Sequence, residues 1–201
     1  MQNQANITYE GEGGYVGGIA GYLTYTVSNC QNGGKINAPS ATFVGGIVGF
    51  VYNTYTYSMS ELTNDGDIVG KECVGGIFGG INVSFGINDS NTYEATFSKL
   101  TNAGKITASG GYSAGVIGKI TAEGVAQYGH NASVKIVLVQ VENSGDVTTG
   151  SPLSVGGIVG FALTDSVSSS LNGYTCTGLL NGEVVTSATA VGNKSNFQVV
   201  S

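Results

Sequence analysis

Three carboxylates and one imidazole mark the chemistry this sequence could attempt. Asp65 and Asp67 stand in the tetrapeptide from Asn64 to Asp67, Asp146 follows Gly145, and His130 is the only histidine. Two carboxylates and a base gathered on one face would serve polysaccharide cleavage, one group taking a proton and another giving one. His130, however, lies in the stretch Gln127 to Ser133 with no Asp or Ser spaced to orient it, and reads as a solvated loop residue. The run from Asn64 to Asp67 offers too few oxygens for calcium without a second contributor. Cys30, Cys73 and Cys176 are scattered, with no CxxC and no Cys/His spacing, so they read as small core hydrophobes. No glycine run opens a helical pattern as GxGxxG or precedes Lys-Ser or Lys-Thr, which argues against a phosphate cradle. Neither a cofactor nor a bound metal is expected.

Composition narrows the class. The chain has 201 residues, 41% hydrophobic and 10% charged, with 34 glycines and neither Arg nor Trp. Charge is too sparse for long surface helices, and Val, Ile and Tyr are too abundant for disorder. A net charge of −6 with no basic run excludes a nucleic-acid footprint. No apolar run reaches the roughly 18 residues that span a bilayer, so no membrane insertion by this segment is expected.

What must position any chemistry is a repeat. VGGI-type motifs begin at Val16, Val44, Val74, Ser113 and Val155, and Asn motifs of the form Asn-x-Gly-x-Ile/Val begin at Asn3, Asn32, Asn64, Asn102, Asn143 and, with one deletion, Asn181. From Asn to the next VGGI the spacing stays nearly constant, while the return to the next Asn varies, so one arm of the unit is fixed and the other accepts insertions. Counting back seven residues from each Asn gives Tyr25, Tyr57, Ala95, Ile136 and Tyr174; five back gives Val27, Met59, Phe97, Leu138 and Cys176. Short hydroxyl residues alternate with them, a period of two that predicts a strand. Two back is again apolar, at Cys30, Leu62, Leu100, Val141 and Leu179, so a turn or bulge must intervene. The Asn motif reads as a corner whose side chain bonds nearby backbone or the Asn of the next unit. In VGGI, Gly45, Gly46 and Gly49 imply that something presses close, and the apolar pair at Ile47 and Val48 implies an outer face covered by the insertion that follows. At the Asn corners, Lys35, Asp67, Lys105 and Asp146 form a column read as an alternating-charge ladder.

The segments Gly18 to Gly21, Gly46 to Gly49, Gly76 to Gly79, Gly115 to Gly118 and Gly157 to Gly160 resemble the GLUG motif of repeat regions in bacterial surface and secreted proteins, with Ile or Val in place of Leu. The resemblance implies an extracellular or cell-surface β-solenoid stalk or adhesive module. It carries no catalytic residue. Together with the periodicity it gives an all-β parallel β-helix (β-solenoid) over residues 1–201 as a single repeat domain. The coils number about six, irregular, of roughly 28–42 residues, right-handed by the usual rule for parallel crossovers, with insertions on one side. The segment is expected to belong to a longer surface protein, with further repeats and the export signal elsewhere.

Function then divides three ways. A non-catalytic structural or adhesive module would bind a host protein or glycan, and the tyrosines of the insertions, Tyr52, Tyr55, Tyr93 and Tyr128, with Tyr57 and Tyr112, are the candidate contacts. A carbohydrate-active β-helix enzyme would gather Asp65, Asp67, Asp146 and His130. An ice-binding solenoid would use the hydroxyl rows Thr24, Thr26, Ser28 and Thr56, Ser58, Ser60, which decay through Glu94, Thr96, Ser98 to Lys135, Val137, Val139.

Overall fold

The odd step ahead of each Asn is where the backbone leaves the extended region. Three residues before the Asn, Asn29, Glu61, Lys99 and Gln140 have φ of 55°, 59°, 54° and 55°. The strand pairings pass over this residue, Ser98 facing Ser60 and Leu100 facing Leu62. One left-handed residue thus lets Met59 and Leu62, or Phe97 and Leu100, all point inward.

The computed structural model describes residues 1–53, 57–86, 92–125, 133–166 and 168–200. Repeat 1 supplies β1 (Gln2–Asn3), β2 (Ile7–Thr8), β3 (Tyr15–Gly17) and β4 (Ala20–Leu23). Repeat 2 supplies β5 (Cys30–Asn32), β6 (Ile36–Asn37), β7 (Phe43–Gly45) and β8 (Val48–Asn53). Repeat 3 supplies β9 (Tyr57–Asn64), β10 (Ile68–Gly70), β11 (Cys73–Gly75) and β12 (Phe78–Gly86). Repeats 4 and 5 merge the two middle strands: β13 (Thr92–Asn102), β14 (Ile106–Ala114), β15 (Ile117–Val125), then β16 (Ser133–Asn143), β17 (Val147–Gly156), β18 (Val159–Thr164). The last residues give β19 (Ser169–Cys176), β20 (Leu179–Leu180), β21 (Glu183–Val184), β22 (Val191–Ser195) and β23 (Phe197–Val200).

Each repeat adds a strand to three parallel sheets. The strand ending at the Asn motif stacks as β1-β5-β9-β13-β16-β19-β23, and the strand after VGGI as β4-β8-β12-β15-β18-β22. The middle arms form the third sheet, in which β14 spans and pairs with both β10 and β11. The molecule is all-β, with no helix among the described residues and therefore none long and apolar enough to cross a membrane. Parallel strands stacked repeat on repeat are consistent with a β-helix.

Both corners close around one contact. Asn32, Asn64, Asn102 and Asn143 are buried and stack in register. The first three each donate one amide hydrogen to the following Asn, at 2.7 Å from Asn32 to Asn64 and from Asn64 to Asn102 and 2.8 Å from Asn102 to Asn143. The other goes to the carbonyl two residues on, at 2.8 Å to Gly34, Gly66, Gly104 and Gly145. Asn3 starts the file, donating to Asn32 at 2.7 Å.

The opposite corner comes up against this file. A Cβ on Gly46 would run into the Gly76 carbonyl oxygen and the Asn64 side chain, and one on Gly76 into the Gly115 carbonyl and Asn102. What presses close to the VGGI glycines is therefore the Asn file and the neighbouring backbone; the covering insertion expected over Ile47 and Val48 is not needed, because both side chains are buried in the interior. Gly46 and Ile47 form the bend between β7 and β8, and that bend turns both Ile47 and Val48 inward. The junction separates two cores: a larger one containing Ile47, Met59, Phe78, Phe97, Ile117 and Leu138, and a smaller one containing Ile36, Val44, Ile68, Val74, Ile106 and Val147.

Two further expectations change. The sixth Asn motif is not in the Asn file: Cys176 pairs with Asn143, Tyr174 with Val141 and Leu171 with Leu138, with Gly173 at φ 62° in the bulge position. Asn143 reaches the Cys176 sulfur at 3.7 Å. Asn181 and Gly182, at φ 50° and 88°, instead turn β20 into β21, which pair antiparallel, as an Asn-Gly hairpin does. Tyr25 is 79% exposed rather than inward, because residues 24–29 connect β4 to β5 outside any strand.

Truncating Asn102 to Ala leaves the Asn64 donor and the Asn143 acceptor unpaired in the interior, and is expected to cost about 3 kcal/mol. Gly76→Ala is expected to cost at least about 3 kcal/mol through overpacking, while Ser58→Ala on the exposed face stays within about 0.5 kcal/mol. Urea denaturation midpoints would check the ranking, and variants of Asn102 and Gly76 that unfold with the parent would contradict it.

Candidate functional site

Outside the VGGI corner, two rows of side chains face each other. The residue before the first Val gives Tyr15, Phe43, Cys73, Tyr112 and Ser154, paired in that order. The residue after the last Gly gives Tyr22, Phe50, Gly80, Lys119 and Phe161. The bend that turns Ile47 and Val48 inward brings these outward positions together. Tyr15, Tyr22, Phe43 and Phe50 form one aromatic cluster, with ring centroids 4.6 Å apart for Phe43 and Phe50 and 5.3 Å for Tyr15 and Phe50. Tyr112 and Phe161 form a second at 4.9 Å, and the Lys119 ammonium lies 5.0 Å from the Tyr112 ring centre and 5.9 Å from that of Phe161.

Between the two clusters, repeat 3 places only Cys73 and Gly80. The result is a cleft of about 500 Å³ floored by Cys73 and lined by Phe43, Lys71, Glu72, Tyr112, Lys119 and Leu153, with Thr42, Ser109 and Ser151 at its hydroxyl-bearing wall. Burial pushes the Cys73 thiol up to about 12 against a smaller opposing pull from Lys119, so it stays protonated and contributes bulk rather than a nucleophile. All three cysteines are free.

Among the tyrosines singled out from sequence, Tyr112 lies in this cleft. Tyr52 lines a separate shallow depression with Asn82, Ser84, Thr121 and the same Lys119. Tyr93 is half-buried against the larger core. Tyr57 is buried edge-on to Phe97, 5.5 Å between centroids, and its hydroxyl finds no partner among the described residues, burial raising its pKa. Tyr55, Tyr128 and His130 lie outside the described residues. The aromatic rows were nevertheless readable, since Tyr15, Phe43 and Tyr112 precede the motif and Tyr22, Phe50 and Phe161 follow it at fixed positions.

The corner aspartates serve the backbone. Asp67 accepts the Lys105 N–H at 3.0 Å and Asp146 the Leu179 N–H at 2.9 Å, while Asn6 takes the Lys35 N–H at 2.9 Å. The column alternates as the sequence suggested, but its bonds are side chain to main chain, because a short carboxylate reaches the next repeat's N–H. Asp65 accepts from Gln31 at 2.8 Å. Ion pairs between repeats form elsewhere, Lys99 with Glu61 at 3.1 Å and Lys135 with Glu94 at 2.9 Å, and the Lys135 hydrogen bond, with Thr96 beside it, holds the Glu94 carboxyl below its usual range. No group of three or more His, Cys, Asp or Glu able to hold a metal occurs among the described residues.

The hydroxyl rows are mixed. Ser58, Thr96, Val137 and Ser170 align, as do Ser60, Ser98, Val139 and Asn172, whereas Thr24, Thr26 and Ser28 lie outside the strands.

No family model, no curated protein and no solved structure matches the chain.

With its pKa near 12 against an ordinary 9.0, Cys73 holds on the order of a thousandth of the usual thiolate at pH 8. Its alkylation by iodoacetamide in the folded protein is expected to be more than about a hundredfold slower than after denaturation in urea, read by peptide mass spectrometry; equal rates would contradict the burial. The same shift has a pH consequence: the folded state keeps this proton where the unfolded chain loses it, so the contribution is full below pH 9 and falls as pH rises toward 12.

Proposed function

We propose that the chain is a right-handed β-solenoid acting as a structural or adhesive, non-catalytic repeat module of a bacterial cell-surface or secreted protein, of the kind the GLUG-like motif suggests. The observation that carries this reading is the Asn file, half-buried at Asn3 and buried from Asn32 to Asn143, in which each amide up to Asn102 donates to the Asn of the next repeat and to its own corner. Such an arrangement builds a rod by addition, each unit contacting chiefly its neighbours, and leaves lateral surfaces open for recognition. The module therefore works outside the cell, joined to further repeats of a parent chain, and holds a host protein or glycan on its side.

The enzymatic alternative draws on the same acidic residues, but Asp67 and Asp146 are committed to main-chain N–H groups of successive repeats. Displaying the chain on a non-adherent bacterium is expected to raise retention on immobilised mucin or extracellular-matrix protein, while the purified protein releases no oligosaccharide from a polysaccharide panel. Release of reducing or unsaturated ends, lost in Asp67→Asn or Asp146→Asn, would overturn the reading in favour of an enzyme.

A further inference from the structure

The cleft at repeat 3 has a built origin in segment length. Between the arms of the middle sheet, repeat 2 runs through residues 39–42, repeat 4 through 109–111 and repeat 5 through 150–153, whereas repeat 3 has only Lys71 and Glu72. Repeat 3 falls short between longer neighbours. The register slip between Gly111 and Tyr112 leaves Leu153 unpaired and 68% exposed at the rim. The recess is thus shaped by backbone, and its volume falls within the roughly 300–1,000 Å³ of small-molecule sites.

We propose that this cleft binds an acidic sugar, a carboxylate-bearing pyranose within an oligosaccharide; the proposal rests on the adhesive reading and names its ligand. Tyr112 and Phe43 line it with aromatic rings, whose negative π surface suits the weakly positive C–H hydrogens of a pyranose. Thr42, Ser109 and Ser151 supply the hydroxyls that a polyol needs and an apolar ligand would leave unpaired. Charge selects the acid. Lys71 and Glu72 offset each other at 3.7 Å, and Lys119 has no carboxylate within ion-pair distance among the described residues. Its ammonium is held at the cleft by Tyr112 and Phe161, a positive charge without an ion-pair partner among the described residues on a chain of net charge −6. A sugar carboxylate would reach Lys119 while the ring rests on Tyr112.

Isothermal titration calorimetry with trimers of galacturonate and of mannuronate, a hyaluronan tetrasaccharide and a neutral galactose trimer tests this. At least one acidic oligomer is expected to bind at least about tenfold more tightly than the galactose trimer, weakening as salt rises. Lys119→Gln is expected to abolish that preference and Tyr112→Leu to weaken binding about tenfold, with Lys194→Gln, on the exposed end of β22, unchanged. If either cleft variant unfolds, NMR titration of the parent protein decides: the Lys119 and Tyr112 signals must shift with the acidic oligomer. Binding of no acidic oligomer, equal affinity for the neutral trimer, or unmoved Lys119 and Tyr112 signals would overturn the site and leave the stalk standing. Binding accompanied by cleavage would support the site and overturn the non-catalytic reading.

Discussion

A buried primary amide is tolerable only where both its hydrogens and its oxygen find partners, and the file from Asn32 to Asn143 meets that demand by making each repeat the partner of the next. One hydrogen fixes the corner by bonding the carbonyl two residues on, and the other fixes the stacking. The corner and the register are therefore set by one side chain. The glycine of the opposite corner follows, since only a residue without Cβ lets the bend at Gly46 or Gly76 come up against the amide of Asn64 or Asn102. Once the corners meet, the interior must divide, and the two hydrophobic clusters lie on either side of the contact.

The outside of the molecule inherits this arrangement. A bend that sends two consecutive residues inward also gathers the flanking positions outward, which is why aromatic side chains collect along the VGGI corner at Tyr15, Phe43, Phe50, Tyr112 and Phe161. These rows do not hold the repeats in register, so they can vary. At repeat 3 the first row shrinks to Cys73, and a short connection of two residues deepens the gap there into a cleft, while the Phe43 ring lies over Gly80 in the second row. Conformity inside and variation outside are compatible because different atoms are responsible for each.

Much of the interior was legible because it repeats. The period, the Asn corner with its bond to the next unit, and the bulge demanded by the odd step from Met59 to Leu62 all follow from aligning equivalent residues. What escaped was where equivalence breaks. Cys176, followed by Thr177 and Gly178, occupies the Asn-x-Gly position with a sulfur in place of the amide, while the later Asn181 and Gly182 keep the motif's letters but form a hairpin. That something presses on the VGGI glycines was readable, but not that it is the Asn amide, because Asn64 and Gly46 lie in different repeats and meet only through folding. The cleft depends on unequal connection lengths in neighbouring repeats, and alignment treats such differences as loop variation.

Side-chain amide hydrogen exchange tests the central interaction most directly. In a sample labelled with nitrogen-15 on Asn, the account requires the amide hydrogens of Asn32, Asn64 and Asn102 to exchange only through opening of the stack, at least about a thousandfold slower than those of exposed Asn193. Exchange of these buried amides at the rate of Asn193, in a protein that remains folded, would contradict it.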